Sequence, residues 1–399
     1  MPSRTKKADN KKHSFECVAL LLQGGGALGA YQGGVYQALA EHGIEPDWVA
    51  GISIGAINAA IIAGNAPDAR VDKLRAFWES VTTPYSWLHP TAHMFADGKM
   101  RGFVNQISAG ASLVHGVANF FTPRMPTPWL HQPGTPAATS YYDTKALRST
   151  LESLIDFDRI NAGEMRFNVG AVNVRTGNFT CFDAQTHKIG PDHIMASGAL
   201  PPGFPAVEID GEHYWDGGLV SNTPLQWMVE CMPRQDTLAF QVDLWSARGA
   251  VPRDMAKVMT RQKEIRFSSR TRANTDRFRE SQRLRHAAAT LLEKLPSDLK
   301  QTPEAELLQA VADCKTYNIA HLIYHTKDYE GDSKDYEFSR LSMEDHWRAG
   351  YEDARHTLSY PEIFERPANP EGISVFDFSR GERKDTHKPA ARTGTEKAR

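Results

Sequence analysis

The sequence predicts an α/β fold with a mostly parallel central sheet, on three observations. Residues 16–65 alternate short apolar runs with glycines and helical spacing, the pattern of buried parallel strands joined by crossover helices. Strand-like runs recur at 166–174, 178–183, 237–244 and 319–324. The 399 residues are 41% apolar with 30 glycines, a globular make-up sufficient for one large domain or two ordinary ones, which excludes disordered and collagen-like chains.

Taken in order, CVALLLQG at 17–24 reads as a strand, 29–42 as a helix, 47–52 as a second strand and 54–64 as a helix closed by Gly64. The character changes at 84–140, where seven prolines and seven aromatics accompany a single acid, Asp97. Within this insertion Phe103, Ile107, Ala111, Val114, Ala118 and Phe121 fall at helical spacing, opposite Asn105, Ser108, Ser112 and Asn119. It reads either as a lid or acyl-groove wall, or as a core-packed helix with proline-rich connections. AVEIDGEHYW at 206–215 is a hairpin whose Asp210-Gly211 pair supplies the positive φ angles of a tight turn. A long helix is expected over 253–293 and a last one over 341–358. The chain divides into a basic tail at 1–13, a body at 14–250, a helix-rich extension at 251–375 and a second basic tail at 376–399, both tails expected to be disordered.

Five basic and one acidic residue in 1–13, and seven and three in 380–399, give each tail +4, leaving −10 on the body within a total of −2. Such a body does not suit nucleic acid, whose binding is driven by phosphate neutralisation. Nine basic and three acidic residues over 261–285 could meet lipid headgroups, or form a solvated helix paired with that acidic body. Cys17, Cys181, Cys231 and Cys314 lie far apart and make neither a disulfide framework nor a zinc motif, so they read as reduced cytosolic thiols. The apolar run after the amino-terminal basic residues is too short for a signal sequence or a span, and a cytoplasmic location is expected.

Three motifs carry chemistry. GISIG (51–55) stands where a strand meets a helix, so Ser53 would sit on a sharp turn with Gly51 and Gly55 letting the two elements approach. QGGGALG (23–29) opens the first helix, and successive glycines let amides converge on one anionic point, as a tetrahedral acyl intermediate requires. Gly24, Gly26 and Gly29 also satisfy the dinucleotide pattern GxGxxG, but the second strand ends at Ser53 rather than at an acid for a ribose. Asp216, in YWDGGLVSNTP (214–224), follows the hairpin and precedes Gly217 and Gly218; it reads as a base for Ser53 or as a plain turn. HLIYH, with His321 and His325, lacks the glutamate of a zinc helix; a Ser-Asp-His triad through these histidines is the rival arrangement. No zinc, flavin or nucleotide motif of comparable strength occurs, so no metal or other cofactor is expected.

In this order GGGALG, GISIG and DGG resemble the patatin-like phospholipase family, over roughly residues 17–245, and SGALPPGFP (197–205) and NTP (222–224) resemble further family segments. Residues from about 250 to 375 resemble a carboxyl-terminal extension found on a bacterial subgroup. The resemblance implies a three-layer α/β fold with Ser53 as nucleophile, Asp216 as general base and the amides of Gly24, Gly25, Gly26 and Ala27 as oxyanion hole. Gly29, Gly51, Gly55, Gly217, Gly218 and Asn222 support these motifs. It further implies hydrolysis of fatty acyl esters in lipid catabolism, a lipid substrate and peripheral membrane contact. An acyltransferase with the same dyad and a non-catalytic nucleotide- or lipid-binding protein are the alternatives. Gln23 and Leu28 depart from the family, which often carries Asp and a basic residue there, and Leu28 bears on whether phospholipid is preferred.

Overall fold

The computed structural model describes residues 13–82, 98–230 and 233–378. The two tails lie outside these residues except for His13 and 376–378, as do residues 84–97 of the insertion.

β1 (Cys17–Leu22) and β2 (Trp48–Ile52) are apolar, fully buried and paired in parallel, with α1 (Ala30–Glu41) as crossover and α2 (Ile54–Ala63) leaving the end of β2. α3 (Arg70–Ser80) follows, then the insertion with α4 (Gly98–His115), a two-residue ladder of β3 (Thr122–Pro123) and β4 (Tyr142–Asp143), α5 (Lys145–Leu154) and α6 (Phe157–Asn161). β5 (Arg166–Asn173) returns to the sheet and β6 (Phe179–Asp183) turns back on it; α7 (Pro191–Ser197) leads to the hairpin β7 (Val207–Ile209) and β8 (Glu212–Asp216). Asp210 and Gly211 take φ of 51° and 78° at its turn, as the sequence predicts. α8 (Leu225–Glu230) and β9 (Thr237–Asp243) complete the body. The extension supplies α9 (Met255–Lys294), α10 (Pro303–Val311), β10 (Tyr317–Ile323), α11 (Arg340–Leu358) and β11 (Ile373–Asp377).

One nine-stranded sheet runs in the order β11-β10-β9-β1-β2-β5-β8-β7, with β6 also on β5. The strands from β11 to β5 pair in parallel, whereas β6, β7 and β8 are antiparallel additions. Alternation along β1 separates the two faces: Leu20 and Leu22 join Tyr31, Trp78 and Trp347 in one core, while Cys17, Ala19 and Leu21 join Trp227 and Phe278 in the other. This is a three-layer α/β arrangement. β10 follows β9 from Tyr317 opposite Thr237 to Ile323 opposite Asp243, so the boundary read at residue 250 runs through a continuous sheet. α11 packs along α1, where the Trp347 indole donates to Gln37 at 2.7 Å. The tail read from residue 376 is corrected at its start, because Phe376 and Asp377 belong to β11 and pair with Ala320 and His321. Among the described residues no helix is long and apolar enough to cross a membrane.

The core-packed reading of the insertion is also corrected. α4 buries Asn105 and Ser112 and exposes Phe103 and Ile107, because its polar side is tied to the extension: Arg101 pairs with Asp345 at 2.9 Å and lies over the Tyr329 ring. Phe121 alone of the predicted apolar stripe reaches an aromatic cluster, with Phe120, Tyr142, Phe204 and Phe338.

Candidate active site

Ser53 occupies the single residue between β2 and α2, at φ 56° and ψ −124°. A non-glycine residue at positive φ is strained, and the surrounding contacts must hold it. The flanking glycines allow this: a Cβ on Gly51 would lie 2.2 Å from the Gly55 carbonyl oxygen, and one on Gly55 2.3 Å from that of Leu22. The Ser53 amide donates to Ser197 Oγ at 3.0 Å, which fixes the turn from the side of α7.

Sheet register brings Asp216 to this serine. β5 pairs with β6 along 168–172, with β2 up to Gly170 opposite Ile52, and with β8 from Ala171 opposite Asp216. Since β6 covers one edge of β5 throughout, β2 and β8 share the other, and β8 takes it up at the residue where β2 stops. Ser53, next after Ile52, is therefore brought to Asp216, and its side chain acts to lower the Asp216 pKa. The Asp216 amide donates to the Ala199 carbonyl at 3.0 Å, and its Oδ1 accepts the Gly218 amide at 2.7 Å. Asp216 is 3% exposed, and burial raises its pKa from 3.8 to about 6 against the opposing influence of Ser53 and of the Gly218 amide.

The glycine loop passes against the serine: a Cβ on Gly24 would lie 2.9 Å from Ser53 Cβ. The Gly24 carbonyl accepts Asn222 Nδ2 and Trp245 Nε1, each at 2.9 Å, so the trans Gly25 amide is turned the opposite way. The amides of Gly24, Gly25 and Gly26 meet no protein acceptor among the described residues. Ala27 differs from the expectation, because its amide donates to the Asp335 carbonyl at 2.8 Å and is no longer free for an oxyanion. Gly26, at φ 56°, lets that carbonyl close in; a Cβ there would lie 2.0 Å from the Asp335 oxygen.

The two departures from the family pattern have local accounts. Gln23 is fully buried and saturated: its Oε1 accepts the Leu244 and Trp245 amides at 2.7 and 3.1 Å, and its Nε2 donates to Thr223 Oγ1 at 3.1 Å. Leu28 is fully buried in the core beside α1, where a cation would have to give up its hydration.

Asp335 arrives from the extension on a buried ion-pair frame. Lys334 Nζ bonds Glu264 at 2.8 Å, both side chains being buried, and Lys263 holds Asp335 at 2.7 Å. Burial pushes the Glu264 carboxyl up, but Lys334, Thr326 and Arg261 outweigh it and its pKa is lowered. The Lys334 ammonium also stands 5.1 Å from the Trp245 ring, whose indole holds Gly24.

The fold thus gathers Ser53, Asp216, Asn222 and Gly24 to Gly26, and leaves the histidines elsewhere. His321 is on β10, three strand spacings or roughly 14 Å from β2. It faces α9's side of the sheet, where burial lowers its pKa to about 4, and His325 is exposed. Sequence reading missed Ser197, Ala199 and Asp335. SGALPPGFP marked the neighbourhood of the first two; nothing in the sequence marks a main-chain carbonyl such as that of Asp335.

A family model described as patatin-like phospholipase matches residues 20–228, and a second, described as patatin phospholipase, matches residues 265–370. Over 51 residues the chain is 41% identical to triacylglycerol lipase SDP1L of Arabidopsis thaliana, a match spanning 13% of this chain and 6% of that protein. Among solved structures it is similar to VipD from Legionella pneumophila, with a TM-score of 0.37 and 16% identity over 87% of this chain and 67% of that one. It is also similar to the type III effector ExoU of Pseudomonas aeruginosa, with a TM-score of 0.33 and 14% identity over 87% of this chain and 53% of that one.

Proposed function

The chain belongs to the patatin-like phospholipase family, and from that premise we propose that it is a serine acyl hydrolase cleaving fatty acyl esters of lipids, with Ser53 and Asp216 as its catalytic dyad. The observation that carries this reading is the register that sets a serine in a strained strand-to-helix turn against a buried carboxylate whose pKa is raised to about 6.

In the proposed reaction, ionised Asp216 takes the Ser53 proton as Oγ attacks the ester carbonyl. The raised pKa helps, because a base works best when its pKa approaches the working pH. Negative charge developing on the carbonyl oxygen meets the amides of Gly24, Gly25 and Gly26, each able to contribute about 3 kcal/mol to the transition state. Collapse breaks the ester C–O bond, the leaving alkoxide takes the proton back from Asp216, and an acyl-Ser53 ester remains. Water then attacks that ester with Asp216 again as base, releasing the fatty acid and restoring Ser53. The reading belongs to lipid catabolism by a cytoplasmic protein that meets its substrate at a membrane surface.

Hydrolysis of p-nitrophenyl butyrate by the purified chain and by Ser53→Ala and Asp216→Ala tests it, with loss of at least about a hundredfold expected in both variants. Acyl product carried to added alcohols in preference to water would make the enzyme an acyltransferase on the same dyad. Undiminished turnover in Ser53→Ala would remove the reading.

A further inference from the structure

We propose that the outward apolar face of α4, together with the loop at 125–130, is the surface on which this protein sits on a phospholipid bilayer. A helix with one apolar face ordinarily turns it to the core. α4 does the reverse: Phe103, Ile107 and Val114 share one stripe and are 60%, 58% and 68% exposed, while Asn105 and Ser112 on the opposite side are buried. The orientation is held from within, by Arg101 on Asp345 and over the Tyr329 ring. In the loop that follows, Met125, Trp129 and Leu130 are also exposed, Trp129 at 84%. An exposed indole in the same insertion suits the boundary between headgroups and acyl chains.

The electrostatics point to lipid as the occupant. No acidic residue occurs from 98 to 142, so the face offers nothing to repel phosphate headgroups. The carboxylates at its border, Asp143 and Asp345, are neutralised by Arg124 and Arg101. Those arginines being already paired, attachment is driven by burial of apolar surface and depends little on salt. The insertion is also tied to the candidate site. The Tyr141 and Tyr142 amides donate to the Pro202 and Gly203 carbonyls at 3.1 and 2.9 Å, and the same segment gives Ser197 to Ser53 and Ala199 to Asp216. A bilayer held on α4 would thereby lie next to the segment that frames the dyad. The lipid-ester reading gives this docking its purpose, but the surface is tested without turnover.

The full chain carrying Ser53→Ala is sedimented with sucrose-loaded vesicles of phosphatidylcholine alone and with 30% phosphatidylglycerol, in about 0.1 and 0.5 M NaCl. Partitioning to both is expected, and it persists at high salt. Adding Phe103→Glu with Ile107→Glu lowers it about tenfold or more, whereas Leu307→Glu on the exposed side of α10 leaves it unchanged. Trp129→Glu gives a second reading should the paired variant not fold. In the Ser53 background the paired variant keeps its turnover of water-soluble butyrate ester. Any of these results overturns the proposal: no partitioning; partitioning unaffected by these variants; partitioning abolished by salt, which moves attachment to the basic α9; or a dimer in sedimentation velocity that the paired variant dissociates, which makes the face a contact between two copies. A rise in soluble-ester turnover in the paired variant also overturns it, since the face would then be a cover on the site. Intact partitioning with no ester turnover in the Ser53 protein would sink the hydrolase reading and leave the surface standing.

Discussion

The main-chain carbonyl of Asp335 accepts the Ala27 amide at 2.8 Å, joining the glycine loop beside Ser53 to the carboxyl-terminal extension. The extension is thereby part of the frame of the candidate site, alongside its two strands in the central sheet. The bond uses an amide that the glycine motif alone would assign to the oxyanion. It leaves Gly24 to Gly26 as donors and fixes the loop that presents them.

Lys334→Met tests this frame. It takes from Glu264 its buried partner but leaves Arg261 at 3.1 Å and Thr326 at 2.8 Å, so the cost should fall below the about 3–5 kcal/mol of a buried charge left with no partner. The expected kinetic signature is a fall in kcat of about tenfold with KM changed less than about twofold, because Lys334 positions the loop and touches no substrate. Urea unfolding and butyrate-ester kinetics check both. Adding Glu264→Gln should restore only part of the stability, since it removes the carboxylate that lost Lys334 but also takes the partner of Arg261.

Gly26→Ala tests the close approach itself. The added methyl would fall 2.0 Å from the Asp335 oxygen at a positive φ, so the loop must move. A loss of kcat of at least about a hundredfold is expected, close to the effect of removing an oxyanion donor. Ester turnover near wild type would show that the loop is not held as described.

The pH dependence follows from Asp216. With its pKa raised to about 6, the carboxylate is the active base above that pH and is lost by protonation below it. On a soluble ester, kcat/KM should rise about tenfold per pH unit below 6 and level off above. In Asp216→Asn the residual rate should lack this limb.

Stability should show the opposite sign. The fold favours neutral Asp216, so its contribution is complete below the unfolded pKa near 3.8 and is lost as pH rises through about 6. Above that pH the buried carboxylate costs roughly 3 kcal/mol at about 1.4 kcal/mol per pKa unit. Asp216→Asn, which does not ionise, should be more stable than wild type at pH 8 and equal to it near pH 4. Chemical denaturation at the two values measures the difference.

Much of this was legible in the sequence for a physical reason: buried parallel strands and glycine turns are local signals. CVALLL, the turn at Ser53 and the Asp210-Gly211 hairpin each reveal themselves within a few residues. The meeting of Ser53 and Asp216 is different. It depends on β2 and β8 sharing one edge of β5, a register that no local pattern encodes; the residues alone left Asp216 as a base for Ser53 or a plain turn, and the resemblance to a family chose between them. The same holds for β10, whose apolar run announced a strand but not its place beside β9. α4 misled because spacing gives the two faces of a helix and not which one meets the protein; Arg101, Asp345 and Tyr329 decide that from far along the chain.

The most direct test of the account is labelling of the purified protein by a fluorophosphonate probe, which reacts with an activated serine. Wild type should label once, Ser53→Ala should not label, and Asp216→Asn, still folded, should label at least about a hundredfold more slowly. Labelling that persists in Ser53→Ala, or proceeds at an undiminished rate in Asp216→Asn, would contradict the dyad.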